Sequence, residues 1–197
     1  MPARINAEER RSHIIEAAFR KILAEGVEGI TLRKVSAEAE LNIGSVRHFF
    51  DGHEDLLEAA AREAGERMGR RLAPYLGSSL KGLKGEEALD SLQELLEQVL
   101  PMDEARRAEA IVVLEFIRAS RVQPLFAPAA AQMGRDLHEV VVSAFSSLGV
   151  ENPGMAARQI TALIGGLTMD AVTPHGALST DQVRAILRGA LRHHLSA

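Results

Sequence analysis

Apolar residues recur along this chain at the three- and four-residue spacing of an amphipathic α-helix, and the alternation typical of β-strands is nearly absent. The periodic segments are filled by Ala, Leu, Glu and Arg, which favour helices. The first apolar stripe consists of Ile14, Ile15, Ala18, Phe19 and Ile22, and Gly26 follows it as a helix-ending residue. The pattern therefore predicts an all-α protein.

The breaks in this periodicity divide the chain into about nine helices. Their approximate bounds are 8–25, 31–39, 44–50, 54–76, 86–100, 103–121, 124–148, 153–172 and 180–195. Asp51-Gly52 ends the third helix, and the clearest linker is the Gly- and Ser-rich segment from Gly77 to Gly85. The first three helices are short enough to form a small N-terminal domain, and the remaining ones form a larger helical domain.

The composition is that of a globular protein, with 46% apolar and 25% charged residues. The chain has no cysteine, which excludes disulfides and thiolate metal sites. It also lacks an apolar stretch of membrane-spanning length and a signal-peptide core, so we expect a cytoplasmic protein. The net charge is −4, and residues 1–50 carry eight Lys/Arg against seven Asp/Glu, a balance that permits DNA binding without predicting it.

The segment 31–50, TLRKVSAEAELNIGSVRHFF, has the pattern of two short helices joined by a tight turn, as in a helix-turn-helix. The apolar positions that would pack the two helices together are Leu32, Val35, Ala39, Leu41, Val46 and Phe50. The outward positions of the second helix are then Ile43, Ser45, Arg47 and His48. Arg47 could bond guanine through two hydrogen bonds, while Ser45 and His48 could bond bases or phosphates. The alternative is a helical hairpin in an ordinary bundle core, which would have no reason to turn Arg47 and His48 outward.

This region resembles the TetR family of one-component regulators. The matching positions are Thr31, Arg33, Val35, Ala39, Gly44, Val46, Phe49, Phe50, Glu54 and Leu56. The segments IGSVRHFF, VLPMDEARRAEA at 99–110 and ALIGGLTMDAV at 162–172 resemble the branch with a BetI-type C-terminal domain. The resemblance implies a DNA-binding domain at 8–68 and a ligand-binding and dimerisation domain at 69–197. It also implies a repressor that a small molecule releases from its operator.

Three positions depart from the family pattern. Glu40 stands where the turn usually has glycine, and a left-handed backbone there would cost a non-glycine residue about 1–2 kcal/mol. Arg47 replaces a tyrosine that commonly contacts phosphate, and His53 replaces a lysine. Neutral donors and helix N-termini must then supply more of the phosphate contacts. The residues that we expect at the DNA are Thr31, Arg33, Asn42, Ile43, Ser45, Arg47, His48 and His53.

The last two helices are the candidates for a dimer interface. Gly165-Gly166 lies mid-helix, where glycine costs about 1 kcal/mol against alanine and usually permits close approach of another helix. Two helices from each subunit would form a four-helix bundle. The expected interface residues are Ile160, Leu163, Gly166, Leu167, Val183, Ile186, Leu187 and Leu191. The alternative is that the two helices pair inside the core of one subunit.

A ligand pocket is expected among the middle helices, mostly apolar and with one or two polar anchors. The candidates are Val112, Val113, Glu115, Phe116, Arg118, Phe126, Met133 and His138. The alternative for each apolar residue is core packing, and for each charged residue it is solvent exposure.

No catalytic constellation, cofactor motif or metal-ligand spacing is present in the sequence, and His175, His193 and His194 lack the partners of a metal site. We therefore expect no enzyme activity, no cofactor and no metal. The expected partners are double-stranded operator DNA, an unidentified small-molecule effector and a second copy of the chain, without a membrane. The alternative function is a ligand-binding bundle or adaptor that no longer binds specific DNA.

Overall fold

A computed structural model describes residues 7–75 and 80–195 of the chain. These residues form nine α-helices and no strand, which confirms the predicted all-α class. The helices are α1 Ala7–Glu25, α2 Leu32–Glu38, α3 Ile43–Arg47, α4 His53–Leu72, α5 Gly85–Glu97, α6 Glu104–Ala119, α7 Ala127–Ser147, α8 Pro153–Val172 and α9 Thr180–Leu195. Short 3-10 helices cover Val27–Gly29, Ala73–Tyr75 and Pro124–Phe126.

Capping residues explain the helix bounds that the sequence predicted well. The side chain of Asn152 accepts a hydrogen bond from the backbone N–H of Met155, and Pro153 occupies the first turn of α8. In the same way, Thr31 caps α2 and Asn42 caps α3. Each cap satisfies a backbone donor that the first helical turn leaves free.

Proline explains two of the bounds that differ from prediction. The α-helical part of α4 ends at Leu72 instead of residue 76, because Pro74 disfavours helical backbone in the residue before it. Pro124 similarly starts a 3-10 turn, and α7 begins only at Ala127. The third helix ends at Arg47 and not at Phe50. Residues 77–79 of the predicted linker lie outside the described residues.

The described residues form two compact units. The first contains the chain up to Gly65 together with Ile111–Ala130. Its buried residues include the whole predicted stripe of α1, joined by Val35 and Val46 of the two short helices. Among its aromatic residues, Phe116 and Phe126 are fully buried, with ring centroids 5.2 Å apart. This unit therefore contains α1, the helix-turn-helix, the first part of α4 and residues from α6 and α7.

The second unit contains Glu66–Ala110 and the chain from Ala131 onward. Its core is built mainly from leucines of α5 and from apolar residues of α7, α8 and α9. Ion pairs along the surface connect α5 with α9, such as Arg188 to Glu86 and Asp90, each at 2.7 Å. No helix in the part of the chain that the structure describes is long and apolar enough to cross a membrane.

Candidate functional site

The turn between α2 and α3 holds the two helices by backbone hydrogen bonds. The N–H of Leu41 donates to the carbonyl of Ser36 at 2.9 Å, and the N–H of Glu40 donates to that of Ala37 at 3.1 Å. This is the usual paired ending of a helix, in which the residue after the cap is left-handed and is most often glycine. Here that residue is Glu40, with φ 54°. The left-handed backbone that makes this departure from the family pattern costly is therefore present.

The two short helices pack through the apolar residues that the sequence singled out. Val35, Ala39, Val46 and Phe50 are at most 2% exposed, while Leu32 and Leu41 are half-buried. Helix α1 supports this pair from behind. His13 Nε2 lies 2.9 Å from the carbonyl oxygen of Ala39, and the guanidinium of Arg11 lies 5.1 Å from the ring centroid of Phe50. The end of α2 and the residues that follow α3 are thus held by contacts from a third helix.

The opposite side of α3 is open to solvent. Ile43 is 41% exposed, although isoleucine is normally buried, and Arg47 four residues later lies on the same helix face. His48 is exposed, and its ring centroid lies 5.2 Å from that of Phe49 in a T-shaped arrangement. His53, the first residue of α4, is also exposed. These four side chains can be reached from outside the protein.

The neutral residues predicted at the DNA also have a structural role as helix caps. Asn42 Oδ1 accepts hydrogen bonds from the backbone N–H of Ser45 at 2.8 Å and from its hydroxyl at 3.2 Å. Thr31 Oγ1 accepts one from the N–H of Lys34 at 3.2 Å. The amide group of Asn42 and the hydroxyl of Thr31 still carry donors for an outside acceptor. Capping and phosphate contact are therefore compatible at these positions.

Several cations of the first unit are held in ion pairs within the protein. Lys34 Nζ donates to Glu25 and to the carbonyl of Gly29, both at 2.6 Å, and Lys21 lies 2.7 Å from Glu25. The hydrogen bonds from Lys21 and then Lys34 lower the pKa of the Glu25 carboxyl to about 2. Arg20 pairs with Glu38 at 2.6 Å.

Two arginines of the segment 31–53 do not take part in such ion pairs. Within that described segment, Arg33 and Arg47 are exposed and their guanidinium groups have no side-chain partner. A planar guanidinium with five donors can bond a phosphate or the acceptor edge of guanine. The arrangement is thus able to bind an anionic polymer and to discriminate between its bases.

The eight predicted pocket residues divide between the two compact units. Val112, Val113, Phe116 and Phe126 are buried in the first unit, whereas Met133 and half-buried His138 belong to the second unit. The two charged candidates have other partners. Glu115 accepts a hydrogen bond from the backbone N–H of Val27, and Arg118 pairs with Glu115 and Glu28.

The predicted dimer residues divide into buried and accessible sets. Those in the core of the second unit are Ile160, Leu167, Val183, Leu187 and Leu191, each at most 3% exposed. They cannot contact another chain while that core is closed, which corresponds to the internal helix pair that the sequence left as the alternative. Ile186 is 42% exposed, Gly166 is exposed and Leu163 is half-buried. A second chain could reach these three.

A small cavity that the sequence did not indicate lies at the start of α8. It measures about 150 Å³, and its lining includes Asn152, Met155, Gln159 and His194. Burial, and then the neighbouring His193, lower the pKa of His194. Typical ligand pockets measure about 300–1,000 Å³, so this cavity is small for an effector site. Its lining comes from the beginning of one helix and the end of another, a combination that periodicity cannot reveal.

Comparison with known proteins identifies families and relatives whose sequences are similar to this chain. Residues 14–60 match the family described as bacterial regulatory proteins of the tetR family, and residues 88–196 match the C-terminal domain of BetI-type transcriptional repressors. The HTH-type transcriptional regulator PksA of Bacillus subtilis (strain 168) is 27% identical over 95% of this chain and 90% of its own length.

Two solved structures share the fold. A transcriptional regulator from Rhodococcus sp. Rha1 superposes with a TM-score of 0.82 and 22% identity, over 94% of this chain and 96% of its own. A regulator from Saccharomonospora viridis in complex with choline superposes with a TM-score of 0.77 and 22% identity, over 95% and 98%. With a helix-turn-helix at 31–50 and a BetI-type domain that matches more than half of its length, the chain belongs to the TetR family of DNA-binding transcriptional regulators.

Proposed function

We propose that this regulator is a dimeric repressor that binds operator DNA through α3 and leaves it when a small molecule binds. The observation that carries the proposal is the contrast between the two sides of α3. Val46 is fully buried, whereas Ile43 and Arg47 are exposed and Arg47 has no partner among the described residues. A bidentate arginine selects guanine, and an exposed apolar side chain can contact a thymine methyl group. Within the expected DNA-binding domain at 8–68, these two residues would read the bases in the major groove.

The remaining expected DNA contacts would position the protein on the phosphate backbone. Arg33 supplies a free guanidinium, and Thr31, Asn42 and Ser45 supply short polar groups at helix starts. His48 and His53 add exposed ring nitrogens that can hydrogen-bond a phosphate. Such contacts set the register of α3 on the duplex and carry no sequence information by themselves. The protein would act in the cytoplasm, where bacterial DNA lies.

A dimer is supported by an unpaired stripe of small and apolar residues on α8 and α9. Its members are Met155, Ala162, Gly165, Gly166, Met169, Ile186 and Gly189, all exposed. A Cβ added at any of the three glycines would meet nothing within 4 Å. Mid-helix glycine costs about 1 kcal/mol against alanine, and these glycines bring no close packing within the chain in return. A second copy of the same two helices would use that space.

Release by a small molecule would run through α4. This helix begins directly after the helix-turn-helix and has 20 residues, so it spans about 30 Å at 1.5 Å per residue. The regulator from Saccharomonospora viridis binds choline, which favours a small organic effector for this chain too. The buried residues Val112, Val113 and Phe116 of α6 remain our candidates to line the ligand site. Two half-sites lie one DNA turn apart, roughly 34–36 Å, so a small tilt of α4 would spoil simultaneous docking.

The test is binding to the DNA that lies upstream of the protein's own coding sequence. Fluorescence anisotropy should give a lower Kd for this fragment than for a shuffled fragment of equal length and composition. Footprinting should show two protected half-sites about one helical turn apart. Equal Kd values for the two fragments would reject the repressor proposal and favour an adaptor that no longer recognises specific DNA.

A further inference from the structure

A cluster of charged side chains joins α6 to the 3-10 turn Val27–Gly29, which follows α1. Glu115 Oε2 accepts a hydrogen bond from the backbone N–H of Val27 at 3.3 Å. Arg118 donates to Glu115 at 3.0 Å and to Glu28 at 3.4 Å. The residues joined in this way lie 88 and 90 positions apart in the sequence and belong to the first compact unit.

The Glu115 carboxylate lies directly against the backbone of this turn. A Cβ built on Gly26 would lie 3.1 Å from Glu115 Oε2, and the φ of +73° at Gly26 also favours glycine. Val27 is only 1% exposed, so its N–H cannot easily exchange the carboxylate for water. Glycine at position 26 therefore allows both the backbone conformation and the close approach of the carboxylate.

Hydrogen bonds also define the connection between this turn and α2. Lys34 of α2 donates to the carbonyl of Gly29 at 2.6 Å, and Thr31, two residues after the turn, caps α2. Glu115 thus holds the turn, and the turn holds the first helix of the helix-turn-helix. Glu115 itself lies within α6, Glu104–Ala119.

We propose that Glu115 and Arg118 are positioning residues for DNA recognition, which fix the orientation of α2 and α3 against α6. This proposal rests on the proposed function, DNA binding through the exposed side of α3. A helix-turn-helix that is already held in one orientation loses less conformational freedom when the protein docks on both half-sites. Preorganisation of this kind raises the affinity for DNA. The contacts are half-exposed and contribute little to overall stability, so their effect should show in DNA binding.

The experiment compares three variants, Glu115→Ala, Glu115→Gln and Arg118→Ala, in the full-length protein. Arg107→Ala is the matched control, since Arg107 is an exposed arginine of the same helix without a side-chain partner among the described residues. Three quantities are measured for each protein. They are the Kd for the upstream DNA fragment, the exchange rate of the Val27 amide by NMR, and Tm by circular dichroism.

We expect Glu115→Ala to weaken specific DNA binding by about 5- to 10-fold and to speed exchange of the Val27 amide by about tenfold or more. Glu115→Gln should stay within about twofold in both quantities, because its amide oxygen can still accept from Val27. Arg118→Ala should weaken DNA binding by about 2- to 5-fold while Arg107→Ala has no effect. All four variants should melt within a few degrees of the original protein.

The proposal is overturned if Glu115→Ala binds DNA like Arg107→Ala. It is also overturned if DNA binding falls only in proportion to a large loss of Tm, since the role would then be structural alone. If the unchanged protein does not distinguish the upstream fragment from shuffled DNA, the proposed function fails instead. The Val27 exchange rate then still decides whether Glu115 fixes the turn.

Discussion

Replacing Glu40 with glycine should stabilise the protein. Glu40 is the left-handed residue that ends α2, with φ 54°, and it keeps the two backbone hydrogen bonds that lead into α3. Its side chain is exposed and makes no hydrogen bond or ion pair with the described residues. The substitution therefore changes the backbone preference and removes no contact.

The expected gain is the difference between two opposing terms. A non-glycine residue in the left-handed region costs about 1–2 kcal/mol. Glycine loses more backbone entropy on folding, which reduces the stabilisation by about 0.5–1 kcal/mol. From the midpoints of these ranges the net stabilisation is about 0.75 kcal/mol, which corresponds to a rise in Tm of about 1.5–3 °C for a chain of this size.

Circular dichroism is the suitable assay, since the chain is helical and has one tyrosine and no tryptophan for fluorescence. Protein concentration must be held constant, because the proposed dimer would make Tm depend on it. Glu40→Ala is the control, since it removes the same charge but keeps a Cβ in the left-handed region. If Glu40→Ala gains as much Tm as Glu40→Gly, the stabilisation comes from the lost charge and the strain argument is refuted.

Three further outcomes are expected. Arg47→Ala should cost about 1–3 kcal/mol in operator affinity and should lose discrimination between operator and shuffled DNA; an equal loss on both would make Arg47 a phosphate contact. Gly166→Leu should weaken the dimer by about 1–3 kcal/mol in sedimentation, whereas Gly134→Leu, also at an exposed helical glycine with open space around it, should leave the dimer unchanged. The Glu25 carboxyl should titrate near pH 2 in an NMR titration, and Lys34→Ala should raise that pKa towards 4.5. Because the folded pKa is depressed, the stability that this ion pair contributes is present above pH 4.5 and is lost as the pH falls towards 2; an unchanged pKa in Lys34→Ala would show that Lys34 does not contribute.

The sequence predicted the helices well where local chemistry sets their bounds. The last two helices were expected at 153–172 and 180–195, which are the bounds in the structure, because Asn152-Pro153 starts one of them and the apolar spacing continues to the end of each. The helix-turn-helix at 31–50 was also predictable, since its caps and its apolar positions all lie within twenty residues, although its second helix ends at Arg47 and not at Phe50. The end of α4 was misjudged because the local effect of Pro74 was underestimated.

The sequence could not reveal which neighbour buries each apolar stripe. Val183, Leu187 and Leu191 have the spacing of an interface, but α5 packs against α9 and places them in the core of the second unit. Glu115 and Arg118 show the same limit for charged residues, because a polar residue on an apolar helix could face a ligand, solvent or another segment. Their partners lie some 90 residues earlier, and periodicity carries no information about such distant pairs.

The ion pairs within the first unit have a consequence for how DNA binding depends on salt. A protein that neutralises many DNA phosphates displaces many counterions, and its affinity for DNA falls steeply as the salt concentration rises. The slope of log K against log salt concentration is about −0.9 for each neutralised phosphate. Here Lys34 is tied to Glu25 and Arg20 to Glu38, so neither is readily available to displace counterions. Binding should then depend weakly on salt, with little affinity for DNA of arbitrary sequence. The acidic balance of the chain would thus help the regulator to stay off most of the chromosome and to bind mainly where its base contacts fit.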